Sequence, residues 1–418
     1  MTARVAAKAR TRKRWSEILA VVVTLTTAWM LSLTALAPVA AAQGVQSQQW
    51  YLDPMRAEDI WEVSTGKGVT VAVIDSGVDP ASPTLEGRLL PGENFADSPG
   101  DENTDFSGHG TTMAELIAGT GKGGGLRGLA PEVKIVPIRI AMPEDFGGGL
   151  DATPAVMAKA IRTAADRADI INMSFGSEYS AIDEREAVEY AARKGKLMFA
   201  GVGNDAKKEG AAAIYPSQYP HVAAVAAGDE SGTISDYSKY GKDTDVTFMA
   251  PGDNIPGHCT PDITQYCVAG GSSNATALAS ASAALIWAEH PDWNANQVMR
   301  VMIETAGLKK KSKYIGWGSV KPGSNLLSGK GDPGDPNVNP LTKERTKDPA
   351  EASPSPEDTT DKPTPGDEAV ADDDKADTAA EGDSDGDNDL IAIIALVAGI
   401  ALLTVTVFAF ARQRRQSP

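Results

Sequence analysis

The chain has 418 residues, with 39 basic and 56 acidic side chains and a formal net charge of −17, room for one large domain with extensions or for two. The acid is concentrated between residues 329 and 389, which carry 19 acids and 6 bases, while the first 42 residues carry 6 bases and 1 acid. The stretch between them is also acidic, which excludes a nucleic-acid partner, because neutralising phosphates takes clustered Lys and Arg.

In chain order, Arg4, Lys8, Arg10, Arg12, Lys13 and Arg14 precede an apolar run from Ile18 to Ala37, and Ala40 and Ala42 supply an A-x-A site. This pattern predicts an export signal over 1–42, removed after Ala42. The apolar run is long for a signal, so an uncleaved anchor is the alternative. Residues 43–67 follow as an N-terminal extension.

From 68 to 328 short apolar runs alternate with longer segments. VTVAVI (69–74), KIVPIRI (134–140), DIINMSF (169–175), LMFAG (197–201), VAAVAAG (222–228) and VTFMA (246–250) are predicted strands, apolar enough to be buried on both faces as parallel strands are. Thr153–Arg167, Asp183–Lys194, Ala275–Glu289 and Asn294–Thr305 have helical length and spacing. Such alternation predicts an α/β domain: a doubly wound, mostly parallel sheet with helices on both faces. Sites in these sheets form beyond the carboxyl ends of the strands.

Residues 329–389 lack aromatics and are rich in Pro, Asp, Glu, Ser, Thr and Lys. They cannot bury enough apolar surface to offset the entropy of ordering, so a disordered acidic linker is predicted. Asp383, Asp385, Asp387 and Asp389 alternate like a calcium loop, but the glycine and the final bidentate acid such a loop needs are missing. Leu390–Ala411 is uncharged over 22 residues, the length of a transmembrane helix. Arg412, Arg414 and Arg415 follow, which puts residues 412–418 in the cytoplasm and the domain outside, a single-pass protein of the cell membrane.

Cys259 and Cys267 are the only cysteines. Outside the cytoplasm they are expected to pair as a disulfide; a zinc site with His258 would lack a fourth ligand.

Three blocks carry the chemistry: VAVIDSGVD around Asp75, DFSGHGTT around His109 and GGSSNATA around Ser273. Amide hydrolysis at neutral pH needs a nucleophile, a base to take its proton and a carboxylate to orient the base. Asp75 ends a predicted strand. His109 lies between two glycines and opens an apolar stretch, MAELIAG. Ser273 precedes the predicted helix from Ala275, where free N–H groups favour developing negative charge. Ser272 is the rival nucleophile, and both serines also suit a helix cap. Asn204, in FAGVGN, follows a strand with an amide able to donate to an oxyanion.

Together these blocks resemble the signatures of subtilisin-like serine proteases, peptidase S8, over about residues 50–328. The resemblance implies that Asp75 orients, His109 acts as general base, Ser273 attacks and Asn204 stabilises the oxyanion. It also implies that Ser174-Phe175-Gly176 forms the edge that pairs with substrate in extended conformation, and that GWGSVKPGSNLL (316–327) closes the domain. The family's G-T-S-x-A-x-P reads Gly271-Ser272-Ser273-Asn274-Ala275-Thr276-Ala277 here, and Ala275 sets the register on Ser273. No cofactor is implied, and GTGKGGGLRG stands where a calcium loop would need Asp and Asn.

Only 32 residues separate Ala42 from Asp75, too few for the family's usual prodomain. With the QQWYLDPMRAEDIW segment and the C-terminal anchor, the chain is similar to mycosins, the membrane-anchored subtilases of type VII secretion. That resemblance implies an extension, residues 43–60, that wraps the domain rather than blocking it. Two functions follow as expectations: an endopeptidase cleaving exported proteins, or a structural member of a secretion membrane complex in which proteolysis is weak or dispensable.

Overall fold

The computed structural model describes residues 44–343, apart from 142–152, 207–212, 242–243, 259–261 and 263. The predicted signal (1–42) and transmembrane helix (390–411), most of the acidic linker and the cytoplasmic tail (412–418) lie outside the described residues. Among the described residues no helix is long and apolar enough to cross a membrane.

The elements run α1 (Ala57–Trp61), β1 (Thr70–Asp75), β2 (Glu93–Asn94), α2 (His109–Ala118), β3 (Lys134–Arg139), α3 (Pro154–Arg167), β4 (Ile170–Met173), α4 (Ile182–Arg193), β5 (Leu197–Gly201), β6 (Val222–Gly228), β7 (Phe248–Pro251), β8 (Ile255–Gly257), β9 (Cys267–Ala269), α5 (Ser272–Glu289), α6 (Ala295–Thr305), β10 (Gly307–Ser312), β11 (Gly316–Gly318) and α7 (Pro322–Leu326). A seven-stranded sheet has the order β2-β3-β1-β4-β5-β6-β7, with every pairing parallel. All six predicted strands are in it. The two-residue edge strand β2 is too short to leave a periodic signal, and the ribbons β8–β9 and β10–β11 pair outside the sheet.

Alternate residues of the strands feed two cores. Val71, Val73, Ile135, Phe199 and Val225 pack with α2, α5 and α6. Ala72, Ile74, Ile138, Ile171 and Met198 pack on the other face with α3 and α4. Period-two alternation with apolar residues on both sides is what a parallel strand between helical layers requires. Helix α5 is buried from Asn274 to Ile286. Its Ala- and Ser-rich surface lets it approach the sheet, and Thr276 and Ser282 return their hydroxyls to the carbonyls of Ser272 and Leu278 at 2.7 Å. No buried hydroxyl there is left without an acceptor.

Residues 44–65 wrap the α2–α5 side. Tyr51 and Ile60 are fully buried, Trp50 Nε1 donates to the Asp253 carbonyl at 3.1 Å, Trp61 Nε1 to Leu129 at 2.8 Å and Ser64 Oγ to Leu285 at 2.7 Å. The linker boundary needs correction. Residues 329–343 do not belong to a disordered spacer: Asn294 and Asn296 both donate to the Pro336 carbonyl at 2.8 Å, and Arg300 donates to Val338 at 3.3 Å. Gly331 has φ +96°, and a Cβ there would come within 2.9 Å of Val301. Composition hid this strap because much of its hold on the domain comes from backbone carbonyls, with Leu341 packed on the core beside them.

A candidate active site at the carboxyl edge of the sheet

Strand β1 ends at Asp75, β4 runs into Ser174, β5 leads to Asn204, and α5 starts at Ser272. Parallel strands bring these ends to one edge, where the free N–H groups of helices also point.

The Asp75 carboxylate is fully buried. Its Oδ1 accepts the Ser76 N–H at 2.8 Å and lies 2.7 Å from His109 Nδ1. A carboxylate only accepts, so Nδ1 donates in this contact, and His109 is one of the residues that line the cavity. This approach depends on glycine. A Cβ on Gly110 would lie 2.1 Å from the Gly77 carbonyl and 3.1 Å from Asp75 Cβ, so the first turn of α2 can sit on the end of β1 only with none there. Gly108, with φ +77°, turns the chain into that helix.

Asp105 organises the corner. Its carboxylate accepts the N–H groups of Ser107, Gly108 and Thr111 and the Thr111 hydroxyl at 3.1, 2.9, 2.9 and 2.6 Å. It also accepts the Ser76 hydroxyl at 2.8 Å, and Ser76 Oγ in turn accepts the Gly110 N–H at 2.9 Å. The loop, the strand end and the helix start are thus tied together around His109. In sequence Asp105 was visible only as a neighbour of the glycine-flanked histidine.

Farther along α2, buried Glu115 accepts from Ser82 and Thr84 at 2.5 and 2.9 Å, and His258 Nε2 lies 3.2 Å away. Burial works to lower the His258 pKa, but the hydrogen bond and charge of Glu115 outweigh it and raise it. His258 is therefore a structural residue behind α2. Cys267 begins β9, and Cys259 lies outside the described residues; among those described, no cysteine is free. No group of three or more possible metal ligands occurs among the described residues.

Helix α5 starts three residues before the predicted Ala275, because the Ser272 N–H has the side chain of Asn204 as its acceptor, at 2.8 Å. The two serines thereby separate. Ser272 is buried, and its Oγ accepts the Gly203 N–H at 3.2 Å. Ser273 faces the cavity, with Oγ donating to the Ser174 carbonyl at 3.2 Å. Since Asn204 Oδ1 takes the Ser272 amide, Nδ2 must point the other way. It lies 3.6 Å, and the Ser273 N–H nitrogen 3.7 Å, from where a Gly271 Cβ would be. Two donors thus border one open space beside the Ser273 hydroxyl.

Ser174 is positioned from below. Its Oγ accepts from Asn172 Nδ2 at 2.9 Å, while Asn172 Oδ1 accepts the Ser280 hydroxyl at 3.1 Å. A cavity of about 700 Å³ takes in His109, Ser174, Phe175, Gly176, Asn204 and Ser273. No residue of 44–65 lines it, so the wrapping extension leaves it open.

A strand-end acid bonded to a helix-start histidine, a serine on a second helix start and paired donors beside it are the parts of a serine hydrolase. The subtilase family, peptidase S8, matches residues 66–318, and the chain belongs to that family. It is similar to the minor extracellular protease Epr of Bacillus subtilis (strain 168), 32% identical over 66% of this chain and 41% of Epr. Thermitase of Thermoactinomyces vulgaris is 31% identical over 57% of this chain and 82% of thermitase. The chain spans only 41% of Epr and 63% of the major intracellular serine protease of Bacillus subtilis.

Its neighbours among solved structures include several mycosin (MycP) proteases. The MycP3 protease from the type VII (ESX-3) secretion system is 30% identical with a TM-score of 0.58, covering 68% of this chain and 89% of that one. MycP1 with its N-terminal propeptide removed is 25% identical with a TM-score of 0.57, covering 66% and 96%.

Proposed function

We propose that this chain is a serine endopeptidase, anchored in the cell membrane with its domain outside, that cleaves exported proteins in association with type VII secretion. The observation that carries the hydrolytic reading is the 2.7 Å Asp75–His109 contact in the same cavity wall as Ser273 and Asn204. An extended polypeptide pairs along Ser174-Phe175-Gly176 and brings its scissile carbonyl to Ser273. The hydroxyl leaves the Ser174 carbonyl, gives its proton to His109 Nε2, and Oγ bonds to the carbonyl carbon. Asn204 Nδ2 and the Ser273 N–H hold the negative oxygen. Collapse breaks the C–N bond, and His109 returns the proton to the leaving amine. Water then repeats the sequence on the acyl-serine, releasing the acid and restoring Ser273. Asp75 stays ionised and steadies the imidazolium.

A fluorophosphonate probe tests the assignment. Labelling is expected in the parent protein and in Ser272→Ala, and absent in Ser273→Ala; the opposite pattern would place the nucleophile at Ser272. The membrane placement rests on the 1–42 and 390–418 sequence patterns, and the Cys259–Cys267 disulfide on the extracytoplasmic setting. Protease protection of the C-terminus in intact cells, with the domain digestible from outside, checks the orientation.

A second reading, a structural role in a secretion complex, is supported by the altered serine block, in which Ser272 and Ala277 stand where the family has Thr and Pro. Ser273→Ala separates the two. Secretion restored by that variant in a deletion strain supports the structural role, and secretion lost supports proteolysis.

A further inference from the structure

The cavity has a second end. Away from His109, Ser273 and Asn204 it is lined by Pro154 and Met157 of α3, Phe175, Tyr179, Tyr215 and one acid, Glu184 of α4. Glu184 is the only carboxyl among the described residues lining this space, and 4% of its surface is exposed.

Glu184 is poorly satisfied. Its Oε2 lies 3.2 Å from Tyr219 Oη, but the single phenolic proton is shared with the Ala181 carbonyl at 3.1 Å. A carboxylate has room for about four donors. Asp105, at the other end of the site, receives five hydrogen bonds of 3.1 Å or less. The Glu184 Oε1 is not sealed off by the fold and so meets whatever fills the cavity. A carboxyl with so small a share of protein donors is costly unless something else completes it. The other acids of α4 face outward, Asp183 and Glu186 exposed and Glu189 half-buried, while Ala187, Val188 and Ala191 are its other inward residues.

We propose that Glu184 is a specificity-determining residue: it selects substrates with a cationic side chain, Lys or Arg, at the position that reaches this end of the cavity. The inference rests on the endopeptidase reading and adds a substrate class to it. A substrate strand paired along Ser174-Phe175-Gly176 runs from the reacting centre toward this end, since Ser177 beyond Gly176 is itself bonded to Tyr215 of the far wall, N–H to carbonyl at 2.9 Å and back at 2.8 Å. The aliphatic stem of Lys or Arg would pack on Met157 and Phe175. Its head group would meet the carboxylate, and Tyr179 and Tyr215 supply rings that tolerate a cation. Burial pushes the Glu184 pKa up to about 7, against the partial relief from Tyr219, so an arriving cation draws the carboxyl into its charged form.

The experiment uses the full chain in detergent and peptides in which one Lys is moved through the residues before the scissile bond. Each is matched by peptides carrying norleucine or acetyl-lysine at that place. At one position Lys is expected to exceed both analogues by at least about tenfold in kcat/KM, the scale of one charge-assisted contact. Glu184→Gln is expected to bring that ratio to about one. Equal use of Lys, norleucine and acetyl-lysine at every position by the parent protein overturns the proposal without needing any variant to fold. So does a Lys preference that survives in folded Glu184→Gln. If the parent cleaves none of the peptides, the endopeptidase reading fails, and binding of the same fluorescent peptides to Ser273→Ala decides the inference alone. Tighter binding of Lys over norleucine that vanishes with Glu184→Gln upholds it, and equal binding overturns it.

Discussion

Two buried carboxyl groups, Asp105 behind the catalytic corner and Glu184 at the far end of the cavity, are treated in opposite ways. At the β1–α2 corner, Asp105 is wrapped by backbone N–H groups and hydroxyls, and Asp75 takes the Ser76 amide and the His109 ring. At the α3–α4 end, Glu184 has a share in one phenol. The corner shows what a fixed charge needs: donors supplied by the fold, each tied to a different segment, so that the charge and its geometry come together. The far end shows a carboxyl left for an incoming group. Asp105 is finished by folding, Asp75 keeps one buried oxygen, Oδ2, without a partner, and Glu184 is left for substrate.

Breaking the β1–α2 corner should cost most. Asp75→Asn keeps the shape but removes the acceptor that sets the His109 tautomer, and kcat is expected to fall about 10⁴-fold; a peptidase assay that finds less than tenfold would remove Asp75 from the orienting role. Asn204→Ala takes away one of the two proposed oxyanion donors and should lower kcat by about 10²–10³-fold with little change in KM. A loss confined to KM would instead make Asn204 a substrate-binding residue. Its bond to Ser272 means that the melting temperature has to be followed as well.

The far end responds in stability and with the opposite sign. The folded pKa of Glu184, about 7, lies above its ordinary value of 4.5, so between these values the folded protein holds a proton that the unfolded chain has released. Its contribution to stability is full below pH 4.5, declines as pH rises toward 7 and stays lost above. The difference is on the order of 3 kcal/mol. Glu184→Gln should therefore melt higher than the parent at pH 8 and close to it at pH 4. Parallel melting curves for the two proteins across that range would show that Glu184 ionises as freely folded as unfolded. Asp105→Ala gives the smallest effect, a loss of about 2 kcal/mol from the uncapped start of α2, read by urea unfolding. A part of that loss should be visible as slower turnover, because His109 is in the turn that loosens.

Much of this molecule was legible from residues alone. The six strands of the parallel sheet were readable because each is a β-branched or small apolar run buried on both faces, a pattern that few other structures need. The order Asp75, His109, Ser273 with Asn204 between was readable because glycine and small residues flank each of them, and sterics leave little choice of residue where a helix start must sit on a strand end. What composition could not supply was direction. Ser272 and Ser273 are the same residue type one position apart. The match of Ala275 to the family pattern points to Ser273, and the physical reason comes only with the fold. The Asn204 acceptor, 68 positions away in sequence, fixes the helix start that buries Ser272 and leaves Ser273 at the cavity. Residues 329–343 look like spacer, yet α6 holds them through their carbonyls. Glu184 shares the i, i+3, i+4, i+7 stripe of Ala187, Val188 and Ala191, so its inward side is set by helical spacing. That it meets Tyr219 and the cavity there is decided by the fold. Local sequence sets which side chains a segment carries and how its backbone bends. Which face meets a neighbour, and hence which acid is charged, satisfied or waiting, depends on contacts between segments far apart in the chain, and these exist only once the domain has closed.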